Sequence, residues 1–152
     1  MIATDEQFLK IIDATPLVSI DLILENPQGK ILLGKRSNRP AQGYWFVPGG
    51  RIQKNEKLAD AIKRISLTEL GFEITLDDSE LLGAFDHIYS DNFSGVDGIN
   101  THYVVLAYKV SLKIDIEIVC DDQHSEIKWW HKRDLSGSTE VHQNTKAYFV
   151  NT

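Results

Sequence analysis

The stretch Phe46–Phe72, FVPGGRIQKNEKLADAIKRISLTELGF, holds the residue types best suited to chemistry. Gly49 and Gly50 let the backbone approach a ligand closely. Glu56, Arg64 and Glu69 follow, and Gly71 closes the segment. Leu58, Ala61, Ile62, Ile65 and Leu70 recur at helical spacing, which predicts a helix over Lys57–Leu70 with Gly71 as its stop. On that helix, positions 65 and 69 share a face with 68 beside them. Glutamates at all three would gather two or three divalent cations, an arrangement suited to water attack on phosphorus. The chain instead has Ile65, Thr68 and Glu69. One carboxylate, with neutral oxygens and water, suffices for a single Mg²⁺. Each acid also has a plainer reading. Glu69 alone fits a surface helix residue or ion pair, Glu56 complements the helix dipole, and Arg64 can pair with either.

The frame Gly50, Glu56, Arg64, Glu69 and Gly71 resembles the signature of the Nudix hydrolases, which act on nucleoside diphosphates linked to another moiety. Other segments are similar to GDP-mannose mannosyl hydrolases, a Nudix subgroup that lacks the same signature glutamates. These segments are TPLVSIDLI, LLGKRSNRPAQGYWFVPGGR, DNFSG followed by THYVVL, and DDQH. The resemblance spans the chain from about Ile2 to Tyr148. It implies hydrolysis at the sugar rather than at phosphorus: water attacks the anomeric carbon of GDP-mannose, or of GDP-glucose, and releases GDP and an inverted sugar. Such a reaction needs a base for the water, neutralisation of the departing diphosphate and support for an oxocarbenium-like centre.

The same resemblance assigns one Mg²⁺ per site to the Gly49 carbonyl, Glu69 and the Gln123 side chain, all oxygen ligands as a hard cation prefers. It makes His124 the general base, a role an imidazole suits near neutral pH. Arg36 becomes the diphosphate clamp, with Tyr103 assisting and Arg51 as a second cation. Arg39 and Lys35 are alternatives, so the basic cluster is better defined than any one member. Asp21 and His87 are candidate sugar contacts, with His87 as a donor. Phe8 is a candidate for stacking on guanine, with main-chain contacts from Ile2 and Ala3. A homodimer is also implied, with the N-terminal helix a candidate to reach over a partner's site. Read without the family, Gln123 is a surface amide in a polar loop, Tyr103 a strand aromatic and Phe8 the anchor of an amphipathic helix. Asp21 stands out by itself, because an acid in the apolar strand LVSIDLIL needs a partner or a task.

The elements that must position these residues follow from pattern. TDEQFLKIIDA reads as a short helix ending before Pro16, with Thr4 and Asp5 as candidate caps. LVSIDLILEN and KILLGKRS are strands joined by an NPQG turn into a hairpin. ELLGAFDHIYS, NTHYVVLAYKVSL and SEIKWWHK are further strands, DNFSGVDG is a turn-rich loop expected to be mobile, and NTKAYFV is a final helix. Mixed strands with an early and a late helix predict an α+β fold. The family resemblance implies an αβα sandwich with a mixed sheet and a loop–helix–loop signature.

The 152 residues suit one domain, 1–152, and 42% hydrophobic residues provide for a core. A net charge of −6 excludes a general nucleic-acid binder. The single Cys120 allows no internal disulfide. MIATDEQFLKII lacks the basic start of a signal peptide, and no apolar run approaches a membrane span. The expectation is a cytoplasmic enzyme without a membrane partner. Two competing functions are a pyrophosphohydrolase cutting an NDP-sugar at phosphorus and a non-catalytic nucleotide-sugar sensor.

Overall fold

The protein is described by a computed structural model covering residues 4–118 and 124–150, without the side chains of His124 and Ser125. Seven strands form one mixed sheet: β1 (Leu17–Glu25), β2 (Ile31–Arg36), β3 (Trp45–Phe46), β4 (Gly49–Arg51), β5 (Glu80–Tyr89), β6 (Thr101–Ser111) and β7 (His124–Trp130). The helices are α1 (Asp5–Ala14), α2 (Leu58–Leu70), α3 (Lys132–Gly137) and α4 (Gln143–Lys146), and a 3₁₀ turn, Ala147–Phe149, continues α4.

The principal strand order is β3-β2-β1-β6-β5. β1 runs parallel to β6 along its whole length, from Leu17↔Tyr103 to Glu25↔Ser111. The β1–β2 hairpin registers at its closed end, Glu25↔Ile31, and then the strands part. β4 takes the other edge of β1, while β3 and β7 flank β2. The site lies at this opening.

Strand alternation puts a core on each face of the sheet. Ile20, Leu22, Leu24 and Leu32 pack against Ala61, Ile62 and Ile65 of α2. Ile23, Ile31 and Leu33 pack with Trp45, Leu135, Tyr148 and Phe149. The result is the expected αβα sandwich. α1 begins with a capping box at Thr4: the Gln7 amide donates to the Thr4 hydroxyl at 3.2 Å, and the Thr4 amide donates to Gln7 Oε1 at 3.0 Å. α2 ends where Gly71 adopts φ 83°, a conformation that favours glycine. α1 packs on β6 of its own chain rather than standing away from it.

DNFSGVDG forms the turns that its composition suggests, organised around one side chain. Asn92 is fully buried, its amide donates to the carbonyls of Val96 and Ile99 at 2.8 Å, and its oxygen accepts from the Ser94 and Val96 amides. One side chain thus satisfies the backbone of the turn.

Candidate active site

A cavity of about 350 Å³ opens where β1 and β2 diverge. Eight residues that the resemblance assigns to the site line it together, Phe8, Asp21, Arg36, Gly49, Arg51, Glu69, His87 and Tyr103, with Gly50, Arg64, Ile65 and Thr68 of the signature beside them. Strand pairing explains the assembly. Asp21 registers with Gly49, and Tyr103 registers with Leu17 on one side and His87 on the other. Asp21, Tyr103 and His87 therefore stand on one sheet face, and α2 brings Glu69 from elsewhere. Ile2, Ala3 and Gln123 lie outside the described residues, as does the His124 side chain. The backbone of His124 begins β7 and registers opposite Arg36.

The signature loop is held by Arg64. Its Nε donates to Glu56 Oε2 at 2.7 Å and its Nη2 to Glu56 Oε1 at 2.9 Å, a two-pronged ion pair. Nη2 also donates to the Arg51 carbonyl at 2.8 Å, and Glu56 Oε1 accepts from the Gln53 amide at 3.1 Å. Arg64 thus pairs with Glu56, and the pair ties the Arg51–Glu56 loop to α2. Glu69 lines the cavity. Gly49 has no room for a side chain: a Cβ would collide with Asp21 Oδ1 and lie 2.5 Å from the Ile20 carbonyl. At Gly50 a Cβ would meet Ile65 Cγ1 at 3.1 Å. Ile65 itself is 1% exposed and belongs to the α2 core, while Thr68 is exposed at the cavity rim and Glu69 is 4% exposed.

Three arginines line the cavity, Arg64 in its carboxylate clamp together with Arg36 and Arg51. Arg51 lies over the Phe8 ring at 4.1 Å, and Arg36 lies 5.7 Å from the Phe46 ring centre. Phe8 therefore supports Arg51, and it also contacts Phe93 at 5.2 Å. Arg39 lines an adjoining cleft instead, and Lys35 lines neither space. Among the candidate diphosphate cations Arg36, Arg39, Arg51 and Lys35, the pair at the cavity is Arg36 and Arg51.

The polar wall has unusual electrostatics. Burial raises the Asp21 carboxyl from 3.8 to about 7, against the lowering effects of a Tyr148 hydrogen bond and the Arg36 charge. Burial pushes His87, 5% exposed, down to about 4, which keeps it neutral at pH 7. The Tyr103 hydroxyl is raised by burial and stays protonated despite Arg36 and Arg51. Tyr148 was not anticipated from sequence, where NTKAYFV reads only as a helix. Its hydroxyl donates to Asp21 Oδ2 at 2.6 Å and lies 3.2 Å from His87 Nε2.

A NUDIX domain model matches residues 15–151. The chain belongs to the NUDIX family. This Nudix protein is similar to the low-salt glycan biosynthesis protein Agl8 of Haloferax volcanii, with 43% identity over 125 residues, 82% of this chain and 76% of that one. It shares 39% identity over 56 residues with the ADP-ribose pyrophosphatase of Methanocaldococcus jannaschii, 37% of this chain and 32% of that one. The crystal structure of the MutT protein from Methanosarcina mazei Go1 superposes with a TM-score of 0.71 at 19% identity, covering 90% of this chain and 92% of the other, which shows the shared fold.

Nudix hydrolases generally work with a divalent cation such as Mg²⁺. The donors in this cavity fit a sparse oxygen site: the Glu69 carboxylate is buried beside it, and the close packing at Gly49 leaves its backbone uncovered by a side chain. No group of three His, Cys, Asp or Glu side chains suited to a metal occurs among the described residues. No described helix is long and apolar enough to cross a membrane.

Proposed function

We propose that this Nudix protein hydrolyses GDP-mannose, with GDP-glucose as the alternative substrate, by water attack at the anomeric carbon, yielding GDP and the inverted free sugar. The observation that carries this reading is the position of Ile65. It is 1% exposed, packs beneath Gly50 and lines the cavity with an apolar side chain, so the helix position that would hold a further carboxylate offers the cavity no ligand. Glu69 remains as the acid of α2 at the cavity. A multi-metal attack on phosphorus gains little support from that arrangement, whereas departure of an intact diphosphate needs only one cation. Similarity to a protein named for glycan biosynthesis agrees with a sugar nucleotide as substrate.

In this reading Arg36 and Arg51 hold the diphosphate, whose charge grows as the C–O bond breaks, and the Tyr103 hydroxyl donates to it. Asp21 and His87 meet the sugar, and ionised Asp21 supports positive charge at the anomeric carbon. His124 takes the proton of the attacking water, and the bonding pair leaves with GDP. Mg²⁺ held by the Gly49 carbonyl, Glu69 and Gln123 would neutralise charge on the leaving group. A single-domain, cytoplasmic homodimer with one Mg²⁺ per site belongs to the same reading.

Incubation with GDP-mannose and Mg²⁺ in ¹⁸O-water tests it, with products followed by phosphorus NMR and mass spectrometry. Label in free mannose with unlabelled GDP is expected. GMP and mannose 1-phosphate carrying labelled phosphate would move the attack to phosphorus. No product from GDP-mannose or GDP-glucose would leave a binding protein.

A further inference from the structure

Tyr148 joins two cavity residues that lie far away in sequence. The residue is 7% exposed, and its ring packs edge-on against Phe85, with centroids 4.9 Å apart at 82°. The hydroxyl therefore has a fixed position between Asp21 and His87. A phenol carries one proton. With Asp21 ionised, that proton goes to Asp21 Oδ2 at 2.6 Å. Towards His87 Nε2, at 3.2 Å, the phenol oxygen can then only accept.

A neutral imidazole has one N–H and one lone pair. We propose that Tyr148 is a positioning residue that fixes His87 as the Nε2–H tautomer, so that His87 meets its ligand through Nδ1 as a hydrogen-bond acceptor. The ligand group facing it must then be a donor, and for a sugar nucleotide that group is a sugar hydroxyl. This reverses the polarity expected from sequence, where His87 was a donor. His87 lines the cavity, and its Nδ1 makes no hydrogen bond with a described residue. Burial keeps the ring neutral near pH 7, so the two nitrogens stay distinct. Only the identity of the ligand rests on the proposed function. The tautomer is a property of the protein alone.

Long-range ¹H–¹⁵N NMR of ¹⁵N-labelled, substrate-free protein at about pH 8.5, where Asp21 is ionised, reads the tautomer, with His87→Gln assigning the signal. The wild type is expected to show His87 as Nε2–H. Asp21→Leu removes the acceptor, which frees Tyr148 to donate to Nε2, and the ring is expected to switch to Nδ1–H. Tyr148→Phe removes the tie, and the separation of the two ring nitrogens is expected to shrink towards a mixture. An Nδ1–H ring in the wild type, or an unchanged single tautomer in whichever variants fold, would overturn the proposal. With GDP-mannose, Tyr148→Phe is expected to lower kcat/KM about tenfold, mostly through KM, if a hydrogen bond to the ligand is weakened. An inactive wild type would defeat the proposed substrate and leave the tautomer result standing.

Discussion

Asp21→Asn should stabilise the metal-free protein relative to wild type, and increasingly so as pH rises from 4 to 7. In the unfolded chain the Asp21 carboxyl ionises near its ordinary value of 3.8, whereas burial holds it at about 7 in the fold. Between those values the folded protein keeps a proton that the unfolded chain has released. Stability then falls with pH, because the unfolded state binds fewer protons. The contribution is complete below pH 3.8 and is lost as pH rises through 7. At about 1.4 kcal/mol for each tenfold change in proton affinity, the full loss is at most about 4 kcal/mol. Asparagine keeps an oxygen to accept from Tyr148 but cannot ionise, so the variant escapes this loss. Urea unfolding with excess chelator, followed by tryptophan fluorescence at half-unit pH steps, measures the difference. A difference that stays flat from pH 4 to 7, or that moves in favour of the wild type, would refute the reasoning. It would mean that the Arg36 charge and the Tyr148 hydrogen bond outweigh burial and hold Asp21 ionised.

Ile65→Glu should cost about 3 kcal/mol or more in chemical denaturation, because it places a carboxylate in an apolar core. Thr68→Glu, at an exposed position, should fold normally, and neither change should raise GDP-mannose hydrolysis; a large gain would mean that the site was merely impaired. Gly49→Ala should cost about 1–3 kcal/mol through overpacking and weaken Mg²⁺ activation, read by unfolding and metal titration, because the displaced neighbours are backbone and Asp21. Glu56→Gln should cost about 1 kcal/mol at pH 7 by weakening the Arg64 clamp. Arg64 holds the Glu56 carboxyl below its ordinary 4.5, so this difference should be present above pH 4.5 and fade as pH falls through the lower folded value. A difference that persists at pH 2 would mean that the clamp does not act through charge.

Much of the molecule was legible in local pattern. The helical recurrence of Leu58, Ala61, Ile62, Ile65 and Leu70, ended by Gly71, marks α2 because each of these positions reports the same face. Alternation and turn residues locate β1, β2, β5 and β6 for the same reason. The short β4 and α3 were not separately legible, since three to six residues carry too little periodicity. Composition marks DNFSGVDG as turn-rich, which it is, but does not show that one asparagine will be buried and bind the loop around itself.

By itself, the sequence determined the signature helix, its single retained acid at position 69 and the stock of polar residues from which a site is drawn. The tertiary structure decided which of those residues meet. The parallel pairing of β1 with β6 joins segments about 85 residues apart and brings Asp21, Tyr103 and His87 onto one face. Ile65 appears in the sequence both as an apolar helix residue and as a missing ligand, and only the fold shows that it is both packed beneath Gly50 and part of the cavity wall. Tyr148, which donates to an acid 127 positions away, left no local sign. Periodicity records which side of an element is apolar, whereas a hydrogen bond between distant side chains depends on where the folded backbone carries them.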